Sequence, residues 1–248
     1  MTSRWDDREK AFDLNNDGVD LYEQAKFEES LACYNESISL NPKEGLAWFN
    51  KGMSLYELEK NKESVVCFDE AIKLNSQTDE AWFFKGMILY DQEKFKESIP
   101  CFDEAIRLEP EFVLALNNRG MALYYLKQFE EAIPYFDEVL RLEPEFTLAW
   151  HNRGITFVEL EEYEKAIECY DEALKLDSEL DDTWHKKGMS LYYLRQFEEA
   201  ITCYEQTIML NSDSPDSWHN KGMTFEQLGK HAEATSCFDR SIKLKERR

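Results

Sequence analysis

The chain is built from short runs of apolar residues at helical spacing, separated by polar breaks. In "AWFNKGMSLYELEK", Trp48, Gly52 and Leu55 recur on one stripe. A break follows, and "ESVVCFDEAIKL" then places Val65, Phe68, Ala71 and Ile72 on one face. A loop closes each such pair of runs: "NPKE", "NSQT", "EPEF", "EPEF", "DSEL" and "NSDS". The pattern predicts two amphipathic helices per unit and no strand.

The units recur at a fixed interval. Gly18, Gly52, Gly86, Gly120, Gly154, Gly188 and Gly222 lie 34 residues apart. Four before them stand Leu14, Trp48, Trp82, Leu116, Trp150, Trp184 and Trp218. Sixteen after them stand Tyr34, Phe68, Phe102, Phe136, Tyr170, Tyr204 and Phe238. The expected organisation is seven tandem repeats, 11–44, 45–78, 79–112, 113–146, 147–180, 181–214 and 215–248. Residues 1–10 extend the first helix. Glycine lets paired helices approach closely, at about 1 kcal/mol of helix propensity. Ala71, Ala105, Ala132, Ala166, Ala173 and Ala200 are expected to face it. One such unit cannot bury its stripe alone; stacking against neighbours does.

The six cysteines belong to the same lattice: Cys33, Cys67, Cys101, Cys169, Cys203 and Cys237 each lie fifteen after a glycine. Equivalent atoms of neighbouring helix pairs are about 10 Å apart, whereas a disulfide needs Cα atoms within about 7 Å. Reduced structural thiols are expected, with no bound metal.

The motif W-x3-G-x2-[LF]-Y, followed by small, aromatic and small residues with Pro at the close, resembles the tetratricopeptide repeat over residues 11–248. The resemblance implies an all-α fold, a right-handed superhelical solenoid of seven antiparallel helix pairs. Its first helices line a concave groove that binds peptides or helices of other proteins. The sequence departs from the family in places. A cation replaces leucine before the glycine at Lys51, Lys85, Arg119, Arg153, Lys187 and Lys221, with Asp17 in the first unit. Asn61 and His231 replace an aromatic residue. Pro100 and Pro134 fall inside second helices, where each removes one backbone hydrogen bond. The cations and the recurrent acidic pairs, such as Asp69 with Glu70 and Asp171 with Glu172, are expected to form inter-helix ion pairs.

Helical geometry sorts the first-helix residues into columns, and the resemblance implies which of these columns line the groove. Phe49, Met53, Phe83, Phe84, Met87 and Tyr90 are its expected apolar anchors; Tyr56, Asn117, Met121 and Tyr124 continue it. These residues either receive a partner or pack against neighbouring first helices. Asn50, Asn118, Asn152 and Asn220 recur two before the glycine, together with Asn16 and interrupted by Phe84 and Lys186. An amide both donates and accepts, so this ladder suits a peptide backbone; helix-start chemistry is the alternative. His151, His185 and His219 share one column. One shared zinc would need ring nitrogens about 3.4 Å apart, so the histidines either line the groove with pH sensitivity or pack between helices. Some family members grip a C-terminal carboxylate with Lys, Asn and Arg on this face. Here the corresponding pairs, such as Phe49/Met53 and His185/Met189, do not supply that clamp.

Charge narrows the partners. The 248 residues hold 29 Lys and Arg against 51 Asp and Glu, a net of −22, with 43% apolar residues. That field repels nucleic acid and anionic lipid and attracts basic proteins, and Glu57, Glu80 and Asp91 favour Lys or Arg. "MTSRWDDREK" is charged throughout and no apolar run approaches a membrane span, so a cytoplasmic protein is expected. No glycine-rich phosphate loop, serine elbow or His-Glu-x-x-His occurs. The reading is a non-catalytic protein–protein interaction scaffold without cofactor or metal, binding a basic and apolar segment. Two alternatives stay open: a self-associating structural solenoid, or a non-catalytic subunit of an enzyme or signalling complex. Cys237, Phe238, Ile242 and Leu244 leave the C-terminal repeat an apolar face for a homodimer, while Trp5 covers part of the other end.

Overall fold

In a computed structural model the protein is described over residues 3–74 and 79–246, with side chains from Asp7 onward. The side chain of Trp5 and the loop "NSQT" lie outside the described residues. Among those described there are fourteen helices and no strand. They are α1 (Ser3–Glu23), α2 (Phe27–Leu40), α3 (Gly45–Glu57), α4 (Asn61–Leu74), α5 (Asp79–Asp91), α6 (Phe95–Leu108) and α7 (Val113–Tyr125). The second half holds α8 (Phe129–Leu142), α9 (Thr147–Glu159), α10 (Tyr163–Leu176), α11 (Asp181–Tyr193), α12 (Phe197–Leu210), α13 (Pro215–Gln227) and α14 (His231–Lys245). None of them is long and apolar enough to cross a membrane.

The chain divides into two compact units, Met1–Leu126 and Lys127–Arg248. In the first, α1/α2, α3/α4 and α5/α6 pack as hairpins, and each second helix also packs against the next first helix, ending with α7. In the second, α9/α10, α11/α12 and α13/α14 repeat the arrangement behind α8.

The turns explain the hairpins. Seven residues after the repeat glycine, Ala25, Glu59, Glu93, Lys127, Glu161 and Arg195 adopt φ between 57° and 62°, and Gly229 lies at 71°. At the end of α3, Glu59 N donates to Tyr56 O at 2.9 Å and Lys60 N donates to Leu55 O at 2.8 Å. This pair of hydrogen bonds closes the helix with one left-handed residue and sends the chain back along it. Six of the seven positions carry a side chain there, at about 1–2 kcal/mol each relative to an unstrained backbone.

The close approach at the glycine differs from expectation. It is the aromatic residue sixteen later, rather than an alanine, that lies over it. A Cβ at Gly52 would stand 2.7 Å from Phe68 Cε1, and one at Gly188 would stand 2.7 Å from Tyr204 Cε1. The flat ring lies directly on the first helix's backbone, so Phe68 and Tyr204 are buried at 0% and 1% exposure. Ala71, Ala105, Ala132, Ala166, Ala173 and Ala200 are also fully buried, among the packed helices. Pro100 and Pro134 sit inside continuous helices. The six cysteines are free, and all but Cys33 are buried. Burial pushes the Cys67, Cys101, Cys169 and Cys203 thiols up to about 11, despite a nearby cation that opposes the shift.

Four of the cations that precede a repeat glycine, Lys85, Arg153, Lys187 and Lys221, have a double role. Lys85 Nζ meets Asp69 Oδ1 at 2.6 Å, Arg153 Nε meets Asp137 Oδ1 at 2.8 Å, Lys187 Nζ meets Asp171 Oδ1 at 2.5 Å and Lys221 Nζ meets Glu205 Oε1 at 2.8 Å. Arg119 pairs in the same way with Asp103. These are the expected inter-helix ion pairs, joining a first helix to the preceding second helix. The same lysines and Arg153 lie over the tryptophan three residues earlier, 5.5–5.8 Å from its centroid. The tryptophans in turn hold the inter-repeat loops: Trp48 Nε1 donates to Pro42 O at 3.1 Å and Trp150 Nε1 to Pro144 O at 2.9 Å.

Candidate functional site

The first helices carry the columns on which a site is expected, and the structure sorts those residues by depth. Met53, Tyr56, Met87, Tyr90, Met121 and Tyr124 are half-buried, as are Phe49 and Phe84. Phe83 is different. It is 6% exposed, packed among Phe102, Ala105, Ala115 and Ala122, with Phe112 4.9 Å away between centroids. Asn117 and Asn152 are also buried, at 3% and 4% exposure. The column three before the glycine therefore turns toward the interior of its unit at Phe83 and Asn117, which offer no open surface. The expected anchor Phe83 and the expected contact Asn117 are interior groups in this conformation.

Unit 1 gathers aromatic rings. Phe84 is stacked on Phe68 at 6.0 Å and meets Tyr56 edge-on at 5.5 Å. Tyr90 meets Phe95 at 5.2 Å, and Phe95 stacks on Tyr125 at 4.6 Å. At its start Tyr22 donates a hydrogen bond to Glu57 Oε1 at 3.1 Å; burial, then the Glu57 charge, push its phenol up to about 12. Burial also raises the Asp91 carboxyl above the ordinary range.

The asparagine ladder is engaged within the protein. Asn50 Nδ2 donates to Asn15 Oδ1 at 3.0 Å, Asn118 Nδ2 to Leu114 O at 2.8 Å, and Asn220 Nδ2 to His185 Nε2 at 3.3 Å. Each keeps its amide oxygen or its second N–H for other contacts.

His151 and His185 of unit 2 pack between helices. His151 Nδ1 lies 2.8 Å from Thr183 Oγ1, and His185 Nδ1 lies 2.7 Å from Ser217 Oγ. The rings of His151, His185 and His219 pack against Tyr170, Tyr204 and Phe238 at 5.3–6.0 Å. Because Asn220 donates to Nε2 of His185, that ring is neutral with its proton on Nδ1, directed at Ser217. Burial holds both the His151 and the His185 imidazole below the usual range; Asp182 opposes this at His151 and Lys186 adds to it at both. His219 is exposed.

Sequence reasoning passes over one part of this surface. Met189, Tyr192, Tyr193, Tyr204, Asn220 and Met223 line a small cup in unit 2. Of these only Asn220 is among the expected contacts. The available signal is the break in the asparagine column at Phe84, whose ring fills the corresponding place in unit 1.

The tetratricopeptide repeat model matches residues 79–112, 113–146 and 147–180, and two further models of the same repeat match 181–214 and 46–78 with 215–248. No curated protein matches the chain in sequence. Among solved structures, YrrB, described as a TPR protein with an unusual peptide-binding site, is 21% identical with a TM-score of 0.68, covering 76% of this chain and 97% of its own. MamA from Desulfovibrio magneticus RS-1 is 18% identical with a TM-score of 0.66, covering 68% of this chain and 96% of its own. The pilF protein of Pseudomonas aeruginosa is 16% identical with a TM-score of 0.70, covering 92% and 98%. At these identities the likeness concerns the fold.

Proposed function

The chain belongs to the tetratricopeptide repeat family, and on that premise we propose that it is a non-catalytic interaction scaffold whose first helices bind a segment of a partner protein. Its seven repeats, 11–44 to 215–248, supply the columns. The observation that carries this reading is the run of half-buried Met and Tyr residues on successive first helices. Met53, Tyr56, Met87, Tyr90, Met121 and Tyr124 in unit 1 keep adaptable apolar surface in reach of solvent. The deep members of the expected set, Phe83, Asn117 and Asn152, support these from below instead of touching the partner.

The partner is basic as well as apolar. The net charge of −22 steers such a segment in. In unit 2, Leu148 is 53% exposed and shares a cleft with Asp181 and Asp182, an apolar wall beside carboxylates. Nucleic acid and membrane surfaces are repelled by the same field, and the cytoplasm is the compartment this reading assumes.

A photo-crosslinking amino acid at Met53, Met121 or Val66 tests the reading. Val66 is exposed on α4, a second helix. Adducts with one defined protein from Met53 and Met121, and none from Val66, support it. Equal labelling from all three, or none from the first helices, overturns it.

A further inference from the structure

The cup in unit 2 has a volume of about 50 Å³. At about 10–15 Å³ per water-sized group, it holds roughly three to five. Its walls are Met189, Tyr192 and Tyr193 from α11 with Met223 from α13. Tyr204 of α12 is the floor, and only 1% of it is exposed. Its hydroxyl makes no hydrogen bond among the described residues, so the oxygen is free to meet a group that enters the cup. Beside it, Asn220 spends an N–H of its amide on His185 Nε2, leaving Oδ1 as an acceptor. Between α3 and α5 of unit 1 the same columns meet differently: there Phe84 packs against Phe68 and Tyr56. Asn220 stands in the column of Phe84, four repeats on, and its shorter side chain leaves the space open.

We propose that this cup takes the ammonium end of a lysine side chain presented by the bound partner. The proposal rests on the scaffold reading and names one residue of its ligand. Tyrosine faces attract a cation within about 6 Å of the ring centre. The two thioether side chains cover the methylene stem, as apolar surface does for a lysine whose head stays polar. Of the three ammonium donors, two meet the Tyr204 hydroxyl oxygen and Asn220 Oδ1. A guanidinium fits worse: it is planar, and its fork is matched by a carboxylate, which this lining lacks. A carboxylate ligand is repelled by the −22 charge.

Methionine methyls report occupancy directly by carbon-13 NMR. The probe is the blocked pentapeptide Ac-Ala-Ala-Lys-Ala-Ala-NH2, compared with the same peptide carrying norleucine, which keeps the stem and lacks the charge. The expected result is a saturable shift at Met189 and Met223 with the lysine peptide, and at least tenfold weaker binding of the norleucine peptide. Asn220→Phe, which installs the plug that unit 1 already uses, abolishes the shift with helical content unchanged. Tyr204→Phe keeps the ring, removes the hydroxyl and weakens the lysine peptide several-fold; it decides the matter should Asn220→Phe not fold. Equal binding of the two peptides, or no saturable shift at Met189 and Met223, overturns the proposal. Shifts confined to Met53, Met87 or Met121 leave the scaffold reading standing and sink the cup. Silence at every methionine removes support from both.

Discussion

The two units share a lattice and differ in what fills it. In each, an aromatic ring lies on the repeat glycine, a left-handed residue closes the first helix, and a cation bridges a carboxylate to a tryptophan. The columns two and three before the glycine diverge. Unit 1 places Phe49, Phe83 and Phe84 there among asparagines such as Asn50 and Asn118, and packs these rings together. Unit 2 places His151, His185 and His219 with Asn220, uses hydrogen bonds to Thr183 and Ser217, and retains a cup. One backbone pattern thus carries ring-on-ring packing around Phe84 in one half and histidine hydrogen bonds beside a cup at Asn220 in the other. The lattice sets the fold, and these two columns set what each half can bind.

The sharpest way to break the contrast is to exchange the plug. Phe84→Asn removes a half-buried ring with four aromatic neighbours, so unit 1 loses about 2–4 kcal/mol, somewhat below a fully buried Phe deletion. Urea unfolding with the exchange of α3–α6 amides measures it. A loss under about 1 kcal/mol would mean that Phe84 is not a structural plug.

A substitution within the shared lattice should act alike in both units. Gly52→Ala and Gly188→Ala each press a methyl group into the ring of Phe68 or Tyr204 and cost about 1–3 kcal/mol. Thermal unfolding of the two variants checks the equality; a large effect in one unit alone would show that the glycine contact is not equivalent.

Acid should separate the units again. All four histidines of the chain, His151, His185, His219 and His231, belong to unit 2. The folded values of His151 and His185 are lowered by burial, so the unfolded chain binds the proton first. Their neutral forms leave stability intact above the unfolded value of about 6.5, and stability falls as pH drops below it toward the lowered folded values. Amide exchange at pH values about one unit above and one unit below that value should show α11 and α13 loosening before α3 and α5. His185→Phe, which copies the residue type of Phe83, should remove part of that difference.

The smallest effect concerns the turns. Glu93→Gly in unit 1 and Arg195→Gly in unit 2 relieve a side chain at φ near 60°, offset by the greater freedom of glycine in the unfolded chain. Each should gain about 0.5–1 kcal/mol in a chemical melt, with no difference between units.

Much of this fold is legible in the order of residues. A 34-residue period in glycine, aromatic and loop positions gives two helices per unit and a loop between units, because helical spacing and turn chemistry are local. The ion pairs are legible too, since cation and carboxylate recur at a constant sixteen-residue offset. The site is less so. A helical wheel gives the direction of Phe83, Asn117 and Asn152 but not how far a neighbouring first helix covers them. Nor does it show that Asn50 and Asn220 spend an N–H on groups one repeat away.

By itself, then, the sequence determined the repeat, the helical class, the family and the acidic field, since each depends on order and composition along the chain. Only the tertiary structure decided which ring lies over each glycine and which columns are interior. It alone decided that Phe84 closes a space which Asn220 leaves open. Those outcomes depend on the volume left between helices 34 residues apart, and that volume is fixed by packing all of them together.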